Sequence, residues 1–133
     1  TDRPMPVNAL PSYSPHLTIV NLGTNDPGAS ISVSTFTANL TLIVQRAQVT
    51  GDVILCWPSV AGSSGSGGTD AVRATFKAAL KSIAQQYGCT FVDEEAMLGG
   101  RTGAQSNGWF ADTVHESAAG YFYEAQALTK LLI

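Results

Sequence analysis

Apolar runs and amphipathic stretches alternate along this chain. Residues 17–22 are mostly apolar and β-favouring, and they lead directly into Gly23, Thr24, Asn25 and Asp26 before Pro27 and Gly28 turn the chain. A short apolar run bounded by turn residues predicts a strand buried on both faces, as in a parallel sheet. Phe36, Leu40, Ile43, Val44 and Ala47 then recur at helical spacing, with Ser32 or Ser34 placed to cap the start and Gly51 to close the element. Residues 53–57 predict a second buried strand, stopped by Pro58. A Ser/Gly connection, residues 62–68, leads to Thr69 or Asp70 as the next N-cap. The clearest amphipathic helix has Val72, Phe76, Ala79, Leu80, Ile83 and Tyr87 on one face and Gly88 at its end. Arg73, Lys77 and Lys81 line its opposite side and read as a solvated face. A third strand, residues 89–92, ends in Asp93, Glu94 and Glu95, a solvated turn. Glycine-rich residues 99–108 predict a loop. The last helix starts near Ser117 and runs to the end, with Ala118, Phe122, Ala125, Leu128 and Leu132 on one face. Ahead of all this, residues 1–16 hold four of the six prolines, which argues against a helix. They predict an extended lead-in packed by Val7, Leu10 and Tyr13, with His16 on the surface at the strand entrance.

Strand, helix, strand, helix, strand, loop, helix is the order of an α/β domain with a parallel sheet between helical layers. Three strands make a small sheet of that kind. The first is apolar enough to be central, yet nothing before it pairs with its free side, and proteins normally cover such an edge. The expectation is that part of the sheet lies outside this chain. At 133 residues the chain is one domain's worth. Hydrophobic residues at 44% against charged residues at 13% exclude a disordered chain. A net charge of -3 gives no electrostatic case for nucleic acid or an acidic membrane surface. No apolar run approaches the roughly 20 residues of a membrane span, and no signal-peptide pattern is present. Cys56 and Cys89 fall at opposite ends of their strands, beyond disulfide reach, and read as buried free thiols. They do not fix the compartment; an extracellular or virion-surface setting is the expectation for it.

Two polar clusters carry candidate chemistry. Asn25 is an amide at the carboxyl end of a buried strand, where open α/β sheets place their ligands. Asp112 and His115 stand three residues apart just before the last helix, close enough in a turn for the acid to accept the Nδ1 proton. That leaves Nε2 free to deprotonate a hydroxyl. Alone, the second pattern is short and reads first as a surface acid with a capping-region histidine. Together, on one rim of the sheet, an amide can donate to an oxyanion beside an acid–base pair.

Gly23, Thr24, Asn25 and Asp26 after a buried strand, with Asp112 and His115 before the C-terminal helix, resemble two conserved blocks of the SGNH hydrolases, the GDSL esterase/lipase family. The strand ending at Pro58 and the run from His115 to Gly120 also sit where that family places them. The resemblance covers nearly the whole chain and corresponds to the family's C-terminal part. It implies a flavodoxin-like three-layer α/β/α fold with a parallel sheet, here lacking its first βαβ portion. It implies Asn25 as oxyanion donor, His115 as general base, Asp112 as its orienting acid and Gly23 as the residue that permits the tight turn. It implies no metal and no cofactor. The family's Gly-Asp-Ser block and the glycine of its second block have no counterpart in the sequence, and neither does a Gly-x-Ser-x-Gly elbow. Ser12 and Ser14 lie among prolines with no strand before them and are not promoted to nucleophile. The nucleophile is therefore expected from a missing N-terminal portion of the same domain, covalent or as a separate chain.

The expected activity is serine-type hydrolysis of a small acyl ester, with carbohydrate O-acetyl groups as one substrate class. Trp109, in a glycine-rich stretch three residues before Asp112, is the better pocket candidate, while Trp57 reads equally as core. Residues 62–68 lack the spacing and the Lys-Ser/Thr of a phosphate cradle. A metal site drawn from Asp112, His115, Glu116 and the Asp93, Glu94 and Glu95 cluster lacks a second well-placed histidine. The rival class is a non-catalytic glycan-binding or structural module built on a hydrolase fold.

Overall fold

The computed structural model describes residues 10–60 and 68–132. Strand β1 (Leu17–Asn21) is followed by helix α2 (Val33–Ala47), β2 (Asp52–Trp57), α3 (Asp70–Tyr87) and β3 (Thr90–Asp93), with a single helical turn α1 (Leu10–Tyr13) ahead of them. After β3 come α4 (Glu94–Met97), α5 (Gly100–Ser106) and α6 (Ala118–Thr129). The strands form one parallel sheet in the order β1-β2-β3, with Ile19 opposite Ile54 and Leu55 opposite Phe91. This is the parallel α/β sheet expected from the alternation, consistent with the flavodoxin-like fold that the resemblance implies.

The sheet alternates its side chains between two layers. Val20, Val53, Leu55 and Trp57 pack with Phe36, Leu40 and Val44 of α2 and Phe76, Leu80 and Ile83 of α3. Ile54, Cys56 and Val92 face the other way, against Met97 and Leu128. Ser32 and Thr69 cap α2 and α3 by accepting from the Thr35 and Val72 amides, and Gly88 ends α3 with φ +66°.

Several expectations are corrected. β1 is not buried on both faces: it is the sheet edge, and on its α6 side Ile19 is 45% exposed. The predicted inward face of α6 is mostly open as well, with Phe122 65% exposed and only Gly120 buried; the helix ends at Thr129. Nothing among the described residues packs over that apolar surface. The lead-in is not extended throughout, because Pro11 sits in the first turn of α1, where no intrahelical amide bond is required. Tyr13 is exposed rather than packed; Val7 lies in residues 1–9, outside those described, and so does the side chain of Leu10. The prediction for residues 62–68 falls outside them too, except Gly68. Gly51 does not cap α2, which ends on Gln48; a Cβ there would collide with the His16 carbonyl. His16 itself is exposed, as expected.

The stripe on α3 is not a solvated face. Arg73 is buried in place of Val72, donating to the Pro58 carbonyl and Glu95 while stacking on Trp57 at 4.7 Å. Lys77 bridges Asp93 and Glu95. The acidic run is correspondingly no solvated turn: Asp93 caps α4 through the Ala96 amide, and Glu94 is buried. Glycine-rich residues 100–106 are helical, held by buried Ala104 and by Arg101 bonded to Asp70. The glycines lower helix propensity by only about 1 kcal/mol each, which packing overrides. Both cysteines are free, but Cys89 is half-buried and just precedes β3. No helix among the described residues is long and apolar enough to cross a membrane.

Candidate active site

The carboxyl end of β1 is shaped by one glycine. Gly23 has φ +109°, and a Cβ there would lie 3.1 Å from Trp57 Cζ3 and 3.5 Å from the Phe36 ring. Only glycine lets the chain leave the strand this close to the core. The Asn25 carbonyl then accepts from the Gly28 and Ala29 amides at 3.0 and 2.9 Å, which fixes its backbone. Its exposed side chain makes no hydrogen bond among the described residues.

Asp112 and His115 occupy the tip of a tight hairpin. Phe110 and Glu116 form its antiparallel bridge, and the Ala111 amide donates to the His115 carbonyl at 2.9 Å. At its base the Ser117 amide donates to the Trp109 carbonyl, and Ser117 Oγ donates to Gly108 while capping α6. Gly120 completes the anchor, since a Cβ there would collide with the Trp109 carbonyl oxygen. Asp112 Oδ1 accepts from the Val114 and His115 amides at 2.7 and 2.6 Å, and Oδ2 lies 2.8 Å from His115 Nδ1. These bonds, led by the one from the His115 amide, hold the Asp112 carboxyl down at about 2. An ionised acid on Nδ1 selects the tautomer that leaves Nε2 as the basic nitrogen.

The neighbours of the two clusters meet. Thr24 and Val114 line one cavity of about 290 Å³, although neither Asn25 nor His115 lines it. Its acidic walls are not evident from the sequence, which sets Glu94 in a solvated turn and places neither it nor Glu116 at a metal site. Glu94, Glu116 and Glu124 reach it from α4, the hairpin and α6, with Asn21 between them. Asn21 Nδ2 donates to both Glu94 oxygens at 3.1 and 3.0 Å, and to Glu124 at 3.4 Å. Burial, then the facing Glu124, push Glu94 up to about 8; the same two causes push Glu116 up to about 7. The signal for Asn21 was its place at the strand's carboxyl end, the rule already applied to Asn25.

Trp109 is half-buried and stacks on Tyr123 at 5.1 Å with 20° between the rings. It does not line the cavity. Trp57 is wholly buried and belongs to the core. A second cavity, about 290 Å³, lies over Arg73, Lys77, Glu95 and Arg101, where the charges are already paired. Among the described residues no group of three His, Cys, Asp or Glu is placed to hold a metal ion.

The family model described as GDSL-like lipase/acylhydrolase matches residues 2–122. No curated protein matches the chain. Among solved structures, a catalytic mutant of Axe2, an acetylxylan esterase from Geobacillus stearothermophilus, superposes with a TM-score of 0.72 at 20% identity over 90% of this chain. A peptidoglycan O-acetylesterase superposes with a TM-score of 0.76 at 21% identity over 98% of it. A protein from Lactobacillus plantarum gives a TM-score of 0.76 at 19% identity. At such identities the likeness is one of fold. The chain spans 60% of the acetylxylan esterase, 40% of the peptidoglycan O-acetylesterase and 69% of the Lactobacillus protein.

Proposed function

Because the chain belongs to the GDSL-like lipase/acylhydrolase family, we propose that it carries the general base, the orienting acid and an oxyanion donor of a serine-type ester hydrolase. The observation that carries this reading is the 2.8 Å contact between Asp112 Oδ2 and His115 Nδ1. It leaves Nε2 available on the rim that also holds Asn25.

In the proposed reaction a serine hydroxyl from a segment of the same domain outside this chain attacks the acyl carbon. His115 Nε2 takes the hydroxyl proton as the bond forms, and Asp112 steadies the resulting imidazolium. The carbonyl oxygen becomes an oxyanion to which Asn25 Nδ2 donates. Collapse expels the alcohol, which takes the proton from His115, and leaves an acyl-enzyme. Water repeats the sequence, with His115 again accepting and returning the proton, to release acid and free serine. Gly23 contributes by permitting the turn that presents Asn25. We place Trp109, steadied by Tyr123, as an aromatic wall for the substrate. Small acyl esters are the substrate class, carbohydrate O-acetyl groups foremost; the superposed acetylxylan and peptidoglycan O-acetylesterases support that choice. The open β1 edge supports the nucleophile's origin, since a further strand can pair there.

The test uses the native protein that carries this chain. It should hydrolyse p-nitrophenyl acetate, with kcat falling by about 10²–10³ in Asn25→Ala. His115→Ala should lose more, with unfolding behaviour unchanged. The 133-residue chain alone should show no turnover. Absence of hydrolysis by the native protein on every acetyl ester tried would refute the reading and leave the non-catalytic glycan-binding module.

A further inference from the structure

Resting on that reading, we infer that the cavity between Thr24 and Val114 binds an organic cation, a primary ammonium carried by the alcohol part of the ester. Three carboxyl side chains from three separate elements, Glu94, Glu116 and Glu124, meet at this one cavity. Among the described residues no lysine, arginine or histidine lines it, and none of the three glutamates is in a salt bridge. Glu94 and Glu124 share one neutral partner, the Asn21 amide, which makes no bond to Glu116; Glu124 otherwise faces the other two carboxyls.

Hydrogen-bonding capacity is also left over. Ser59 is 5% exposed and lines the cavity, and its Oγ has no partner. Glu116 Oε2 is buried and unpartnered as well. Buried polar atoms are normally satisfied, so two of them on one cavity point to a group that donates to both. A hydroxyl can donate to one of them, whereas an ammonium has three donors and a charge that favours ionisation of the carboxyls around it. A volume of about 290 Å³ exceeds what a bare ion fills and admits an ammonium with a short carbon stem. The contrast with the cavity over Arg73 and Lys77 is instructive, because there Glu95 meets its cations within the protein. Thr24 and Val114 adjoin Asn25 and His115, so a cation held between them sits beside the proposed reacting centre and not at a remote surface.

Two measurements on the native protein test this. In the first, butylammonium chloride is titrated against ¹⁵N-labelled protein, with sodium chloride and butanol as controls. The Asn21 side-chain amide and the Ser59 backbone amide should shift saturably with butylammonium only, and not in the double variant Glu116→Gln/Glu124→Gln. Shifts equal to those with sodium chloride would overturn the inference whether or not the protein is an esterase. In the second, kcat/KM is compared for 4-aminobutyl acetate and pentyl acetate, which differ by an ammonium for a methyl. The cationic ester should be preferred about tenfold, the size of one charge-assisted hydrogen bond. That ratio should approach one in the double variant. Hydrolysis of both esters without preference would overturn the inference and leave the esterase reading standing. Hydrolysis of neither would instead remove the esterase reading and, with it, the substrate as the source of the cation.

Discussion

Glu94 should make this protein less stable as the pH rises from 5 to 8. It is 1% exposed, and its neighbours are the Asn21 amide, the Cys56 thiol and the Glu124 carboxylate, none of them a cation. Its pKa is raised from 4.5 to about 8. Below the unfolded value both states hold the proton and nothing changes. Between the two values the unfolded chain is ionised while the folded one stays protonated. Folding then takes up a proton, so unfolding becomes easier with each pH unit, by at most about 1.4 kcal/mol. Across the whole window this is on the order of 3–5 kcal/mol, a large part of an ordinary domain's 5–15. Glu116 shares the direction, its pKa raised from 4.5 to about 7 by burial and by Glu124. The oppositely perturbed acids do not interfere. Asp112 is held down by the His115 amide; Glu95 is lowered because Lys77 and Arg73 outweigh its burial. Both therefore lose their stabilising effect only below about pH 4.5.

Gln is the neutral isostere of a protonated glutamate, able to accept from Asn21 and donate to Glu124. Urea unfolding followed by tryptophan fluorescence between pH 5 and 8 should show a falling stability for the native sequence. Glu94→Gln should be close to it at pH 5 and clearly more stable at pH 8. A native profile that is flat or rising over this interval would refute the reasoning. So would a Glu94→Gln variant with an unchanged slope.

Gly23→Ala should cost about 1–2 kcal/mol from its positive φ alone, and more from the contact with Trp57, read as a lower urea midpoint. Glu95→Gln should destabilise by about 3–5 kcal/mol, because it leaves the buried Arg73 guanidinium without its counter-charge; Arg73→Met/Glu95→Met should recover much of that in the same assay. Asp112→Asn should lower kcat for p-nitrophenyl acetate in the native protein by about 10³–10⁴, since an amide no longer imposes the Nδ1–H tautomer, while KM stays within a few-fold.

The strands and the two long helices were legible because each is decided within a few residues. β2 is a continuous apolar run because both of its faces are covered, and Ser32, Thr69 and Gly88 sit at the helix ends where capping chemistry wants them. The pairing of Asp112 with His115 was legible for the same reason, being a contact across three residues. What the pattern missed depends on partners far along the chain. Arg73 reads as a solvent-facing residue until Glu95, the Pro58 carbonyl and the Trp57 ring are brought around it. Glu94 reads as a turn acid until Asn21, 73 residues away, reaches it. β1 reads as central because its composition is apolar, but the sequence pattern does not say which neighbours are present.

Among the described residues, one side of the sheet gathers a group of open features. Val20 points into the closed layer beneath α2 and α3, so by strand alternation Ile19 and Asn21 point toward α6. On that side lie the exposed Ile19, the uncovered aromatic residues of α6 and the acid-lined cavity, and β1 has its free edge next to them. The backbone at Asn25 is fixed from the closed layer, through Gly23 lying on Trp57 and Phe36 and through the Asn25 carbonyl turn. The Asp112–His115 pair is fixed from the open one, through Ser117 and Gly120 at the start of α6. In the proposed hydrolase, a strand added to the free edge of β1 would bring its carboxyl end toward the end of the sheet that holds these two fixtures. The proposed serine would have to arrive there, within reach of His115 Nε2 and with its acyl oxygen toward Asn25.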